Sequence, residues 1–138
     1  MEKLRLSRSL LTNALATLAD SFIAEEEAVE LGNNRLILAA QDSSIQRFEY
    51  CYESFWKFLK LYFEKKFNIE DVNSPRSVFR MCVEKGLCTE PEGVVLLAML
   101  EDRNKTTHNY NAAQVRDIYP NISNYYDLMI KILASIYE

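Results

Sequence analysis

Apolar residues recur along most of this chain at steps of three, four and seven, the spacing that places side chains on one stripe of an α-helix. Leu4, Leu11, Leu15, Leu18, Phe22 and Val29 make the first stripe and predict a long amphipathic helix. Gly32, Asn33 and Asn34 follow, residues that tolerate a positive φ and then cap a new helix, so a tight link is expected there. A second helix is predicted from about Arg35 to about Phe67, with Ile45, Phe48, Tyr52, Phe55, Trp56, Leu59, Tyr62 and Phe63 as the aromatic centre of a core. Ser74 can cap a short helix that begins at Pro75, where a missing N–H costs nothing, and ends near Lys85 before Gly86. Thr89 and Glu92 have the spacing of a capping box and open a fourth helix near Glu90, with Val94, Val95, Leu97 and Leu100 followed one turn on by Arg103 and Asn104. A last stripe, Val115, Ile118, Ile122, Tyr125, Met129, Ile132 and Ile136, is again helical, with a kink or fresh start expected at Pro120. The pattern predicts an all-α protein: a four-helix up-and-down bundle with one additional short helix, forming a single domain over 1–138.

Composition narrows this further. Of 138 residues 49% are hydrophobic, enough for one sizeable core, while three glycines and three prolines are too few for the many tight turns of a β sandwich or barrel. The formal net charge of −4 argues against a protein that coats nucleic acid through a global positive field. A local basic run, Lys57, Lys60, Lys65 and Lys66 with Arg76 and Arg80 beyond, reads first as a solvated helix face. Cys51, Cys82 and Cys88 are odd in number and contain no CxxC pair, which suits reduced thiols in a cytoplasm and matches no zinc finger or ribbon. No run of apolar residues is long enough to span a membrane, and the N-terminal segment, broken by polar residues, does not read as a signal peptide.

The chemistry concentrates between Glu101 and Asn111, a dense polar run that follows an apolar helix without any loop-breaking residue. At about 100° per residue, Arg103, Thr107 and Tyr110 share one helix face, and Asn104 and His108 share the next. Arg103 and His108 then point about 140° apart on an ideal helix. They converge on one ligand if the helix frays or tightens between Thr107 and Asn111, or if a second subunit completes the site. His108 is the single histidine of the chain, so any chemistry needing two imidazoles draws the other from a second copy. The plain structural reading pairs Arg103 with Glu101, Asp102 or Glu49 and lets His108 cap the helix end, where a cation is favoured. The functional reading takes the arginine for phosphate oxygens and the imidazole, with an ordinary pKa of about 6.5, for proton exchange at neutral pH. Such a set suits a metal-free phosphodiester site and implies no metal and no cofactor.

The spacing Arg103-x4-His108-x-Tyr110 resembles the signature of HEPN domains, and more narrowly that of nucleotidyltransferase substrate-binding proteins, the HepT-like partners of minimal nucleotidyltransferases. The ordered set Ile45-Gln46-Arg47-Phe48-Glu49-Tyr50, Trp56-Lys57, Ser74-Pro75-Arg76, Gly86-Leu87 and Met99 to Asn104 is similar to that family in order and approximate spacing. The resemblance implies a homodimer with the Arg-x4-His segments of two chains in one cleft. It further implies a ribonuclease toxin, silenced by a minimal nucleotidyltransferase encoded nearby that transfers AMP to Tyr110. Carried over by residue, Arg103 and His108 are catalytic and Tyr110 is modified; Asn104, Lys105 and Thr107, polar residues between them, are expected as substrate contacts. RNA is the implied substrate, and neither DNA nor a membrane is an expected partner. Two positions depart from the family: Leu96 stands where a tryptophan is usual and Lys105 where an apolar residue is. The competing function is a non-catalytic subunit that binds a nucleotide or substrate for the nucleotidyltransferase, a reading the acidic net charge favours.

Overall fold

The computed structural model describes residues 2–107 and 115–136. Five helices make up the described fold: α1 (Glu2–Glu30), α2 (Asn34–Phe67), α3 (Pro75–Glu84), α4 (Glu90–Thr107) and α5 (Tyr119–Ala134). The four long helices form the bundle and α3 packs beside α4, in agreement with the all-α expectation. None of these helices is long and apolar enough to cross a membrane, among the described residues.

The helix starts follow from local chemistry. Asn33 accepts from the Leu36 N–H at 3.1 Å to cap α2, and the Ser74 hydroxyl accepts from the Ser77 N–H at 3.2 Å to cap α3 ahead of Pro75. At α4 the predicted capping box is present, with the Thr89 N–H donating to Glu92 Oε1 at 2.9 Å and the Glu92 N–H donating to Thr89 Oγ1 at 3.2 Å. Pro120 marks a fresh start, since it lies in the first turn of α5. Gly32 and Gly86 follow helix ends at φ of 65° and 75°, a region open to glycine at little cost.

The core is built around α2. Phe48, Phe55, Phe58, Leu59 and Phe63 are fully buried and meet Leu11, Leu15 and Leu18 of α1, Val78 and Phe79 of α3, Leu96 and Met99 of α4 and Ile122 and Met129 of α5. The buried hydroxyls of Ser21 and Ser44 hydrogen-bond at 2.7 Å and tie α1 to α2. Arg8 donates to the carbonyls of Ile136 and Leu133 at 2.9 and 3.0 Å, so α1 satisfies the open C-terminal end of α5. Val29 and Val94 depart from the predicted stripes, 57% and 66% exposed, while Phe22, Trp56, Val95, Leu97 and Val115 are half-buried. Periodicity extrapolates a stripe to the helix end, and Val29 lies in the last turn of α1, one residue before its end at Glu30.

Gly93 carries no boundary role in the sequence, and its place is a close approach between α3 and α4. A Cβ added there would stand 2.5 Å from Val83 Cγ2. Val83 is β-branched and stiff, so relief requires the two helices to part. Gly93→Ala is therefore expected to destabilise the fold by about 1–3 kcal/mol despite the helix propensity it adds, and Val83→Ala in the same chain should recover most of the loss in a urea melt. A Gly93→Ala chain as stable as the parent would show that the contact yields freely.

Candidate functional site

The proposed site residues that the structure describes sit on the last two turns of α4, the helix end that the buried stripe Leu96, Met99, Leu100 and Thr106 holds against the core. Arg103 leaves this stripe toward α2. Its side chain is 17% exposed, its guanidinium lies 5.8 Å from the centroid of the Tyr52 ring, and Nη2 is 3.7 Å from Glu53 Oε1. The carboxylate beside Arg103 is thus Glu53, not one of the three that the structural reading of the sequence offers. Glu101 instead pairs with Arg76 of α3 at 3.0 Å, and Asp102 is turned to α5. Glu53 also accepts from Trp56 Nε1 at 3.3 Å and lies 3.6 Å from Lys57 Nζ, so one hydrogen bond and two cations surround it.

Asn104 is exposed, and Lys105 reaches back to Asp102 Oδ1 at 3.4 Å while keeping its side chain 57% exposed. Thr107 is the last residue of α4. His108 and Tyr110 lie outside the described residues, as does the fraying expected between Thr107 and Asn111. The structure therefore brings Arg103, Asn104, Lys105 and Thr107 to one end of one helix.

Around these residues the electrostatics are set by burial. Burial pushes the Tyr52 hydroxyl up to about 12, with the Glu53 charge adding to the shift and Arg103 opposing it, so the ring facing Arg103 stays neutral at physiological pH. Tyr125 is raised as well, by desolvation first and then by the Asp102 carboxylate it donates to. Cys51 is pushed up to about 12 and Cys88 to about 11, chiefly by desolvation, and all three cysteines are buried and free. They are poor nucleophiles for that reason. No group of three histidine, cysteine, aspartate or glutamate side chains among the described residues could hold a metal ion. The lysine run on α2 is a solvated face as read, with Lys57–Glu53 and Lys60–Glu64 paired across one turn at 3.6 and 3.3 Å.

Sequence reasoning misses Tyr52 and Glu53 as neighbours of Arg103, and Asp102, Asn121 and Tyr125 as a cluster. One signal is available for Asp102. It falls three residues after Met99 and four before Thr106, so it belongs to the buried stripe, and a charge on such a stripe needs partners.

A protein from Thermus thermophilus is 35% identical over 90% of this chain and 96% of its own, with a TM-score of 0.73. The fold is also that of the tri-AMPylated HEPN toxin of Shewanella oneidensis in its complex with MNT antitoxin, at 17% identity over 91% of this chain and 94% of that one and a TM-score of 0.66. A mutant of the toxin–antitoxin MntA–HpeT matches at 19% identity, 91% and 99% coverage and a TM-score of 0.63. A search of curated protein sequences returns no match. The family model described as nucleotidyltransferase substrate binding protein like matches residues 9–138, and the chain belongs to that family.

Proposed function

We propose that this chain is a HEPN-type, metal-independent endoribonuclease toxin, working as a homodimer and neutralised when a minimal nucleotidyltransferase transfers AMP to Tyr110. The observation that carries the reading is Arg103: a guanidinium largely buried against Tyr52 and Glu53, one turn before Thr107 and five residues before His108. A guanidinium kept partly out of water and backed by an aromatic face interacts more strongly with a phosphate than one on a solvated surface. The Shewanella oneidensis relative, an AMPylated toxin with its antitoxin, supports the toxin and the modification.

RNA carries its own nucleophile. His108, or its copy in the second chain, takes the 2′-OH proton or returns one to the leaving 5′-oxygen. The 2′-O–P bond forms, the P–5′-O bond breaks, and a 2′,3′-cyclic phosphate remains. Arg103 neutralises the negative charge that develops on the phosphorane, while Asn104, Lys105 and Thr107 contact the strand. The whole chain, 1–138, acts as one domain in the cytoplasm, where thiols such as Cys51 stay reduced. AMP on the Tyr110 hydroxyl adds a negative charge and a nucleotide's volume to the cleft and excludes RNA by both.

Two observations favour the second reading, a subunit that binds a nucleotide and does no chemistry: Arg103 already faces the Glu53 carboxylate, and the chain carries a net charge of −4. Two experiments separate the readings. Purified chain is incubated with RNA, alongside the Arg103→Ala and His108→Ala forms. Intact mass is then measured after coexpression with the neighbouring nucleotidyltransferase, where a gain of AMP units that Tyr110→Phe abolishes is expected. Absence of cleavage by the parent chain leaves the binding subunit; absence of AMP sinks the regulatory half.

A further inference from the structure

Asp102 is the one acidic or basic residue buried among the described residues. Its Oδ2 accepts from the Tyr125 hydroxyl at 2.6 Å and from the Asn121 amide at 3.2 Å, both on α5, and its Oδ1 lies 3.4 Å from Lys105 Nζ. Tyr125 is backed in turn by Phe48 of α2, the two rings stacked with centroids 5.7 Å apart. The carboxylate thus joins α4 to α5 at the α4 end that carries Arg103, and the Tyr125 ring carries the contact on to α2.

A buried carboxylate is a costly way to join helices, because its desolvation offsets much of what its partners return, and a well-packed apolar pair holds as firmly. What an apolar pair lacks is direction. Hydrogen bonds to the carboxylate run along fixed lines and so set the rotation of α4 about its own axis. Neighbouring residues on a helix point about 100° apart, and with Asp102 turned to α5, Arg103 is turned to Tyr52 and Glu53 of α2. The same carboxylate holds Lys105 one turn on. It also joins α4 to α5 near the two ends of the connection in whose sequence His108 and Tyr110 fall. A second polar tie between these helices among the described residues, Lys131 to Glu92 at 2.5 Å, is exposed and lies at the far end of α4.

We propose that Asp102 is a positioning residue: through Tyr125 and Asn121 it sets the rotation of α4 that aims Arg103 and Lys105 at a phosphate, without itself touching RNA. This rests on the ribonuclease reading above. The test is kcat and KM of the full chain on a short single-stranded RNA, taken well below the melting midpoint of each variant. Asp102→Asn keeps the size and presents an amide N–H₂ where one oxygen accepted. A misplacement of about 1 Å is worth about 100-fold in rate, so kcat should fall roughly 10- to 100-fold with KM little changed. Tyr125→Phe preserves the ring stacked on Phe48 and should lower kcat in the same direction, and the double variant should be no slower than Asp102→Asn alone, because both changes break one link.

A lowered melting midpoint with parental kcat would reduce Asp102 to a structural role and overturn the proposal, as would fully additive effects of the two changes. If Asp102→Asn does not fold, Tyr125→Phe and Asn121→Ala carry the comparison, reduced kcat supporting the proposal and parental kcat overturning it. Arg103→Ala separates the two levels. An inactive Arg103→Ala beside fully active Asp102→Asn and Tyr125→Phe removes the positioning role alone, whereas a fully active Arg103→Ala removes the ribonuclease reading and this role with it.

Discussion

Replacing Arg103 with alanine is expected to slow RNA cleavage by about 10²- to 10³-fold, the usual cost of deleting one donor to a charge that develops in a transition state. The side chain is 17% exposed and lies over the Tyr52 ring, so its charge is weakly screened and its loss is not made good by solvent. Lysine should rescue only in part. It restores a charge but not the planar fork that meets two phosphate oxygens, nor the flat face against Tyr52. His108→Ala is expected to cost about 10²- to 10⁴-fold, the range for lost general acid–base help. Cleavage is followed with end-labelled RNA, and the 3′ product is checked for a cyclic phosphate. Parental rates in both alanine forms would mean that the chemistry lies elsewhere. Circular dichroism guards against a trivial cause, since loss of the Arg103–Tyr52 contact should by itself cost only about 0.5–2 kcal/mol of stability.

The second large effect concerns Phe48. It is fully buried, and its ring meets Tyr125 at 5.7 Å and Tyr52 at 6.4 Å, so it lies beneath both the partner of Asp102 and the ring that faces Arg103. Phe48→Ala removes a core aromatic side chain and should destabilise the fold by about 3–5 kcal/mol, a large part of the roughly 5–15 kcal/mol that holds an ordinary domain folded. Phe48→Leu keeps most of the volume and should cost less than about 1.5 kcal/mol. Urea denaturation of the three chains reads both values. A Phe48→Ala midpoint equal to that of the parent would contradict a core organised around α2. Because the leucine form retains the fold while withdrawing the stacked face from Tyr125, it also shows in the cleavage assay whether the backing of Tyr125 matters to the site.

Much of the candidate site is legible in the residue pattern. Arg103, Asn104, Lys105 and Thr107 fall on one helix end because helical spacing is local, and the capping box at Thr89 and Glu92 locates the start of that helix. The partners of those residues are not legible there. Arg103 is expected beside Glu101, Asp102 or Glu49, all near it in sequence or in the resembling motif, and it meets Glu53. Glu101 is drawn to Arg76 because α3 packs beside α4. Val94 is expected to face the core and faces solvent, while Gly93, which has no expected role, lies at the α3–α4 contact. In each case the deciding contact is between helices.

The number, approximate bounds and caps of the helices, most of their core stripes, the family and the helix end that carries the candidate chemistry are written in the order of residues. They depend on interactions within a few positions: periodicity, capping hydrogen bonds, and the backbone freedom of Gly32 and Gly86. Packing between helices settles which way α4 is rotated, and therefore that Arg103 turns to Tyr52 and Glu53 while Asp102 turns to Asn121 and Tyr125. A helix has the same local energy at every rotation about its axis, and that rotation is chosen only when buried groups of other helices accept its stripe and satisfy the one carboxylate it buries.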